Sequence, residues 1–224
     1  MRRSLQVLLA ALVFVGAAVT SSAQPNDNSR VEVSGGFRWI GSLDLASVPA
    51  NETTVGGGSR ALFDSTTTLD QSFGGTVTVG VRLSQLIRVE GAVVYSPTQL
   101  STRITDDTEG VPDTTITAPV SQILVEGGVL ALPPRWRTRH VSPFATAGLG
   151  YLRQLNDGRT LVETGGSYYV GGGLYYVRTP ARPGRVKATG VRGDVRALVL
   201  HNGVAADSDW RPATAITATF FMRF

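Results

Sequence analysis

The sequence predicts an all-β fold: an eight-stranded antiparallel up-and-down transmembrane β-barrel behind an N-terminal signal peptide. Three observations predict it. Apolar and polar residues alternate with a period of two through successive short segments, the mark of strands whose two faces meet different surroundings. Beyond the leader no apolar run approaches the roughly 20 residues that a spanning helix needs, so any membrane crossing falls to strands. Long polar connections alternate with short ones, as in a barrel whose two rims differ.

Composition agrees with this reading. Glycine contributes 26 residues, Thr and Val are frequent, and long runs of Leu, Lys or Glu are few, which favours β over α. The absence of Cys excludes a disulfide framework and thiolate metal sites. The formal net charge of +4 becomes nearly neutral without the two arginines of the leader. Lys and Arg form neither one run nor one helical face, so nucleic acid is not an expected partner.

In chain order, Arg2 and Arg3, the mostly apolar stretch 5–19 and the small residues Ser21-Ser22-Ala23 read as a signal peptide over 1–23. About 15 apolar residues are too few for a helical anchor. No Cys follows the cleavage position, so a lipid-modified N-terminus is not expected. Residues 24–30 form a short periplasmic leader, and 31–224 the barrel domain. The first strand, 31–40, sets Val31, Val33, Phe37 and Trp39 against Glu32, Ser34 and Arg38. The second sets Phe73, Val77, Val79, Val81 and Leu83 against Thr76, Thr78 and Arg82, and the third sets Ile87, Val89, Val93 and Tyr95 against Arg88 and Glu90.

The fourth segment, 119–132, sets Ile123, Val125 and Val129 against Gln122 and Glu126, with Leu124 and Leu130 breaking the rule. The fifth, 143–154, is weakly patterned. In the sixth, 167–178, Tyr168, Val170, Leu174 and Tyr176 share a face opposite Gly171 and Gly173. The seventh is sharpest, with Val191, Val195, Ala197 and Val199 opposing Arg192, Asp194 and Arg196. The eighth, 213–224, ends on Phe220-Phe221-Met222-Arg223-Phe224.

All eleven prolines fall outside the interiors of these segments, with Pro97, Pro119, Pro143 and Pro212 at strand edges, as the loss of a ladder hydrogen bond requires. The connections 42–71, 99–118, 155–166 and 202–211 are long, and 84–86, 133–142 and 179–188 are shorter. The long ones read as extracellular loops and the short ones as periplasmic turns, with both termini periplasmic. Trp39, Phe73, Tyr95, Tyr151, Tyr168 and Trp210 fall at the outer rim, and Tyr176, Phe220 and Phe224 near the inner one, giving two aromatic girdles.

Assembled in this way, the chain resembles the small bacterial outer-membrane β-barrel superfamily that includes OmpA-like and OmpX-like eight-stranded barrels, over roughly 30–224. Four stretches carry the resemblance: the last alternating strand closing on Phe224, Ala147-Gly148-Leu149-Gly150-Tyr151, Val170-Gly171-Gly172-Gly173-Leu174-Tyr175, and Val191-Arg192-Gly193-Asp194-Val195-Arg196. It implies residence in the bacterial outer membrane among its lipids and lipopolysaccharide. It further implies the barrel-assembly machinery as a partner in biogenesis, with Phe220 and Phe224 in the assembly signal. It specifies architecture and hardly any activity, and the peptidoglycan-binding domain of OmpA itself is not expected.

An eight-stranded bore is just wide enough to be filled by side chains. The inward set Glu32, Arg38, Arg82, Arg88, Glu90, Glu126, Arg192, Asp194, Arg196 and Arg223 is therefore expected to form a mutually paired polar network that plugs the lumen, because an unpaired buried ion costs several kcal/mol. No catalytic, cofactor or metal residues are expected. His201 with Asp207, Ser208 and Asp209 has the residue types for base-activated serine attack. Lipid A deacylases of this architecture place the serine two residues after the histidine, where this chain has Gly203.

Asp106, Asp107, Glu109 and Asp113 in one outer loop, and Asp44, Glu52, Asp64 and Asp70 in another, match no defined calcium loop. Gly56-Gly57-Gly58 and Gly165-Gly166 are not nucleotide loops. Arg135, Arg137 and Arg139 in one inner turn, and Arg178, Arg182, Arg185 and Lys187 in another, can contact anionic lipid phosphates or periplasmic partners. The expected function is that of a non-enzymatic integral outer-membrane protein with a structural or surface-interaction role, any ligand being met through the four outer loops. The alternatives are a lipid A-modifying enzyme, a narrow ion-conducting pore, and a soluble barrel of lipocalin type with its apolar faces turned inward.

Overall fold

The computed structural model describes residues 29–53, 59–105, 112–156, 161–178, 184–203 and 210–224. The expected signal peptide, most of the leader, Asp106, Asp107, Glu109, Arg182, Asp207, Ser208, Asp209 and Gly56-Gly57-Gly58 lie outside the described residues. The strands are β1 (Val31–Ile40), β2 (Leu43–Thr53), β3 (Ser59–Leu69), β4 (Ser72–Arg82), β5 (Ile87–Thr105), β6 (Thr114–Ala131), β7 (Val141–Asn156), β8 (Leu161–Arg178), β9 (Ala188–Asn202) and β10 (Trp210–Arg223).

β1 and β4 to β10 form a closed antiparallel ring of eight strands, each paired with its sequence neighbours in the ring. β10 returns to β1 with Glu32 opposite Arg223. At that junction the Phe224 N–H donates to the Val31 carbonyl at 2.8 Å and the Arg30 N–H to the Phe224 carbonyl at 3.0 Å. Closure leaves the ring without a free edge.

The ring outgrows the sequence-based segments at its outer end. The expected loop 42–71 is mostly the β2/β3 hairpin, and most of 99–118 continues β5 and β6. β3 pairs along Leu100 to Thr105 of β5, so four strands rise past the ring as an open sheet ending at β2. Threonines dominate these parts, including Thr66 to Thr68 and Thr114, Thr115 and Thr117. Their β-branched side chains favour strand geometry, yet with polar residues on both faces they give no period-two signal.

The prolines need correcting for the same reason. Pro97 pairs with Ser121 and Pro119 with Gln99, well inside β5 and β6. Gln99 turns its carbonyl away from β6 to accept the Asp70 N–H at 2.8 Å. By the two-residue period, the nitrogen of Pro97 faces the same side, between the end of the β4 register at Tyr95 and the start of the β3 register at Leu100. The nitrogen of Pro119 faces β7, one residue beyond the last pair, Val120 with Asn156. Each proline thus lies within a strand but where one neighbour has run out, and no ladder bond is lost.

The two faces of the ring are the reverse of those in a water-soluble barrel. Val191 and Val195 are each 53 % exposed, whereas Arg192, Asp194 and Arg196 between and beside them are buried. The same holds for β4 and β10, which alternate without a break across the ring. Leu124 and Leu130 obey this alternation too, since both point inward. They break the sequence pattern only where the interior is expected to be wholly polar.

Apolar side chains in fact close both ends of the lumen. Leu43, Leu45, Leu69, Val94, Val120, Leu124, Leu152 and Leu200 pack at the outer end, where the base of the hairpin folds over the bore. Leu130, Leu132, Phe144, Tyr175, Val177, Ala188 and Phe221 pack toward the inner end.

Candidate functional site

The charged set lies within this closed cylinder. Glu32, on β1, accepts the Arg223 Nε at 2.7 Å across the β1/β10 junction and is also ion-paired with Arg88 from β5. Its other oxygen accepts the Tyr175 hydroxyl at 2.9 Å. That hydroxyl in turn accepts Arg88 Nη1 at 3.1 Å and Arg192 Nη1 at 3.3 Å. Arg192 grips Glu90 with two nitrogens, at 2.6 and 3.2 Å, and its Nε lies 3.3 Å from Asp194.

Arg196 continues the chain of charges. Its Nε donates to Asp194 at 2.6 Å, its Nη1 to Glu126 at 2.9 Å, and its Nη2 lies 3.5 Å from Glu90. Arg38 pairs with Glu126 at 2.8 Å and donates through Nε to Thr217 at 3.2 Å. Nine of the ten residues singled out for the lumen are thus buried and joined in one network through shared carboxylates and the Tyr175 hydroxyl. Arg82 lies at the end of β4, half-buried, with its Nε on the Ser84 carbonyl at 3.3 Å.

Aromatic rings and glycines seat these ions. The guanidinium of Arg192 lies 4.6 Å from the ring centre of Phe144, and that of Arg196 lies 4.6 Å from Tyr169. Such contacts add cation–π attraction to the ion pairs. Tyr169 needs room to lie across the bore, and glycines provide it: a Cβ on Gly128 would come within 2.0 Å of its hydroxyl, and one on Gly148 within 2.6 Å of its ring. Tyr175 is the residue the sequence reading missed. It shares its parity with Gly171 and Gly173, so the period-two rule already placed it inward.

The other candidates are arranged differently. His201 stacks its ring on Trp210, centroids 4.7 Å apart, and Trp210 meets Tyr168 at 5.4 Å. The acid and serine considered with it lie outside the described residues. Asp113 pairs with Arg103 at 2.9 Å, and the carboxylate of Asp70 accepts the Ser101 hydroxyl at 2.8 Å. Among the described residues no group of three or more His, Cys, Asp or Glu is placed to hold a metal ion. Phe220 is exposed on the ring's outer face, and Phe224 is exposed next to the junction it helps to close.

An apolar outer surface, a closed wall of paired strands and a buried ionic interior define a membrane-spanning β-barrel. Among solved structures, the chain is similar to the outer membrane protein OprG from Pseudomonas aeruginosa, with 13 % identity over 88 % of this chain and 96 % of that one and a TM-score of 0.50. It is equally similar to Neisserial surface protein A, with 14 % identity over 87 % of this chain and 97 % of that one and a TM-score of 0.50. No protein-family model and no curated protein sequence matches the chain. The likeness is one of fold: the chain has the fold of the small outer-membrane β-barrels.

Proposed function

We propose that the protein is an integral outer-membrane barrel that neither conducts ions nor catalyses a reaction, and that it acts as a structural and surface-interaction protein through its outer loops and the β2-β3-β5-β6 sheet. One observation carries this reading. The charges of the lumen are buried and paired to one another between two apolar clusters. A bore of this size has no space left for a hydrated path. With the interior committed to structure, the variable outer end is where recognition of a ligand would fall.

In this proposal the apolar belt is surrounded by outer-membrane lipids and lipopolysaccharide. The barrel-assembly machinery inserts the chain through a signal that includes Phe220 and Phe224. Planar-bilayer recording on verified, folded insertions tests the main claim: no discrete single-channel current is expected. Steps of current that change in Arg196→Gln or Glu126→Gln would make it a narrow pore instead. The catalytic alternative is tested by the lipid A of cells expressing the protein, whose mass is expected to be unchanged.

A further inference from the structure

We propose that the inner rim is a binding surface for anionic phospholipid headgroups of the periplasmic leaflet. This rests on the membrane-spanning reading and adds a lipid class to it. The short turns 83–86 and 132–140, the described part of the turn before β9, and the β1/β10 junction all lie at this end. Its exposed charged side chains are Arg30, Arg135, Arg139, Arg178, Arg185 and Lys187. Among the described residues every acidic side chain outside the lumen, including Asp44, Asp70 and Glu163, lies at the opposite end. The sequence places no Asp or Glu in any of the short turns.

These cations are held at headgroup height by apolar anchors in the same turns. Trp136, in the 3-10 turn Pro134–Trp136, is 55 % exposed, and Leu83 is 66 % exposed. Both would be misplaced in water and fit the boundary of the hydrocarbon, where Trp is favoured. Arg137 fixes one turn to the next by donating to the Gln85 carbonyl at 2.6 Å and the Leu132 carbonyl at 2.8 Å. The Lys187 N–H bonds to the Arg223 carbonyl at 2.7 Å, fixing the start of β9 against β10. The side chains of Arg135, Arg139, Arg185 and Lys187 make no hydrogen bond or ion pair with any described residue. Their stems can lie along the belt while their charges reach the phosphate plane. Uncompensated cations at this depth attract anionic headgroups within a Debye length.

The test uses the full folded chain in vesicles of phosphatidylcholine containing phosphatidylglycerol. Spin-labelled lipids report which headgroup the barrel surface retains. A several-fold preference for phosphatidylglycerol over phosphatidylcholine is expected, falling toward parity in the combined variant Arg135→Gln, Arg139→Gln, Arg185→Gln and Lys187→Gln. The control Arg103→Gln, at the other end, should keep the preference. Equal retention of both lipids by the unmodified protein, or an undiminished preference in the combined variant, would overturn the proposal. Should that variant fail to fold, the unmodified protein decides the matter, since a preference that survives 1 M salt contradicts a charge-based site. Failure to insert into any vesicle would instead count against the membrane-spanning reading itself.

Discussion

Glu32 shows how the interior holds together, because it answers two arginines from different strands, Arg88 and Arg223, and a tyrosine hydroxyl at once. Removing one partner of a buried pair leaves the other charge uncompensated, which costs about 3–5 kcal/mol. Glu32→Ala is therefore expected to lose that much stability in urea unfolding from lipid vesicles, and a loss below 1 kcal/mol would mean that water reaches these arginines. Gly128 makes the complementary point about space. Gly128→Ala is expected to cost about 1–3 kcal/mol by overpacking against Tyr169. Adding Tyr169→Phe, which deletes the atom nearest to the new methyl, should recover part of the loss in the same assay.

The strands turn these local pairings into a membrane protein by keeping one parity for lipid and one for the lumen. Val195→Arg, on the exposed face of β9, is expected to destabilise the barrel by about 2–4 kcal/mol. Thr217→Asp, facing inward beside Arg38, should cost less because it gains an ion partner. Equal losses would show that the faces are misassigned. Pro97→Ala should leave folding yield unchanged, since the restored N–H faces no ladder partner, whereas Val93→Pro should abolish folding because Val93 is paired with both Val77 and Val125. β1, β4, β9 and β10 were legible in the sequence because lipid and lumen impose opposite chemistry on alternate residues. The outer parts of β3, β5 and β6 were not, because above the membrane their two faces differ little. The lumen charges were legible from parity alone. The apolar clusters were not, since a leucine at an inward position reads as an exception until the closed end it fills is seen.

As a whole, the molecule is a cylinder with an apolar outer belt, an ion-paired interior, an acidic outer end and a basic inner rim, and the first two properties follow from the same period-two register. The soluble-barrel alternative needs the opposite sidedness, which makes sidedness the central claim. The absence of native Cys allows single cysteines to be introduced and spin-labelled without background. The decisive measurement is the accessibility of labels at 191, 195, 198, 199 and 200 in lipid vesicles to membrane-dissolved oxygen. Labels replacing Val191, Val195 and Val199 are expected to collide freely with oxygen, and those replacing Leu198 and Leu200 to be shielded. The reverse pattern, or free access of a water-soluble relaxant to Val191 and Val195, would contradict the account.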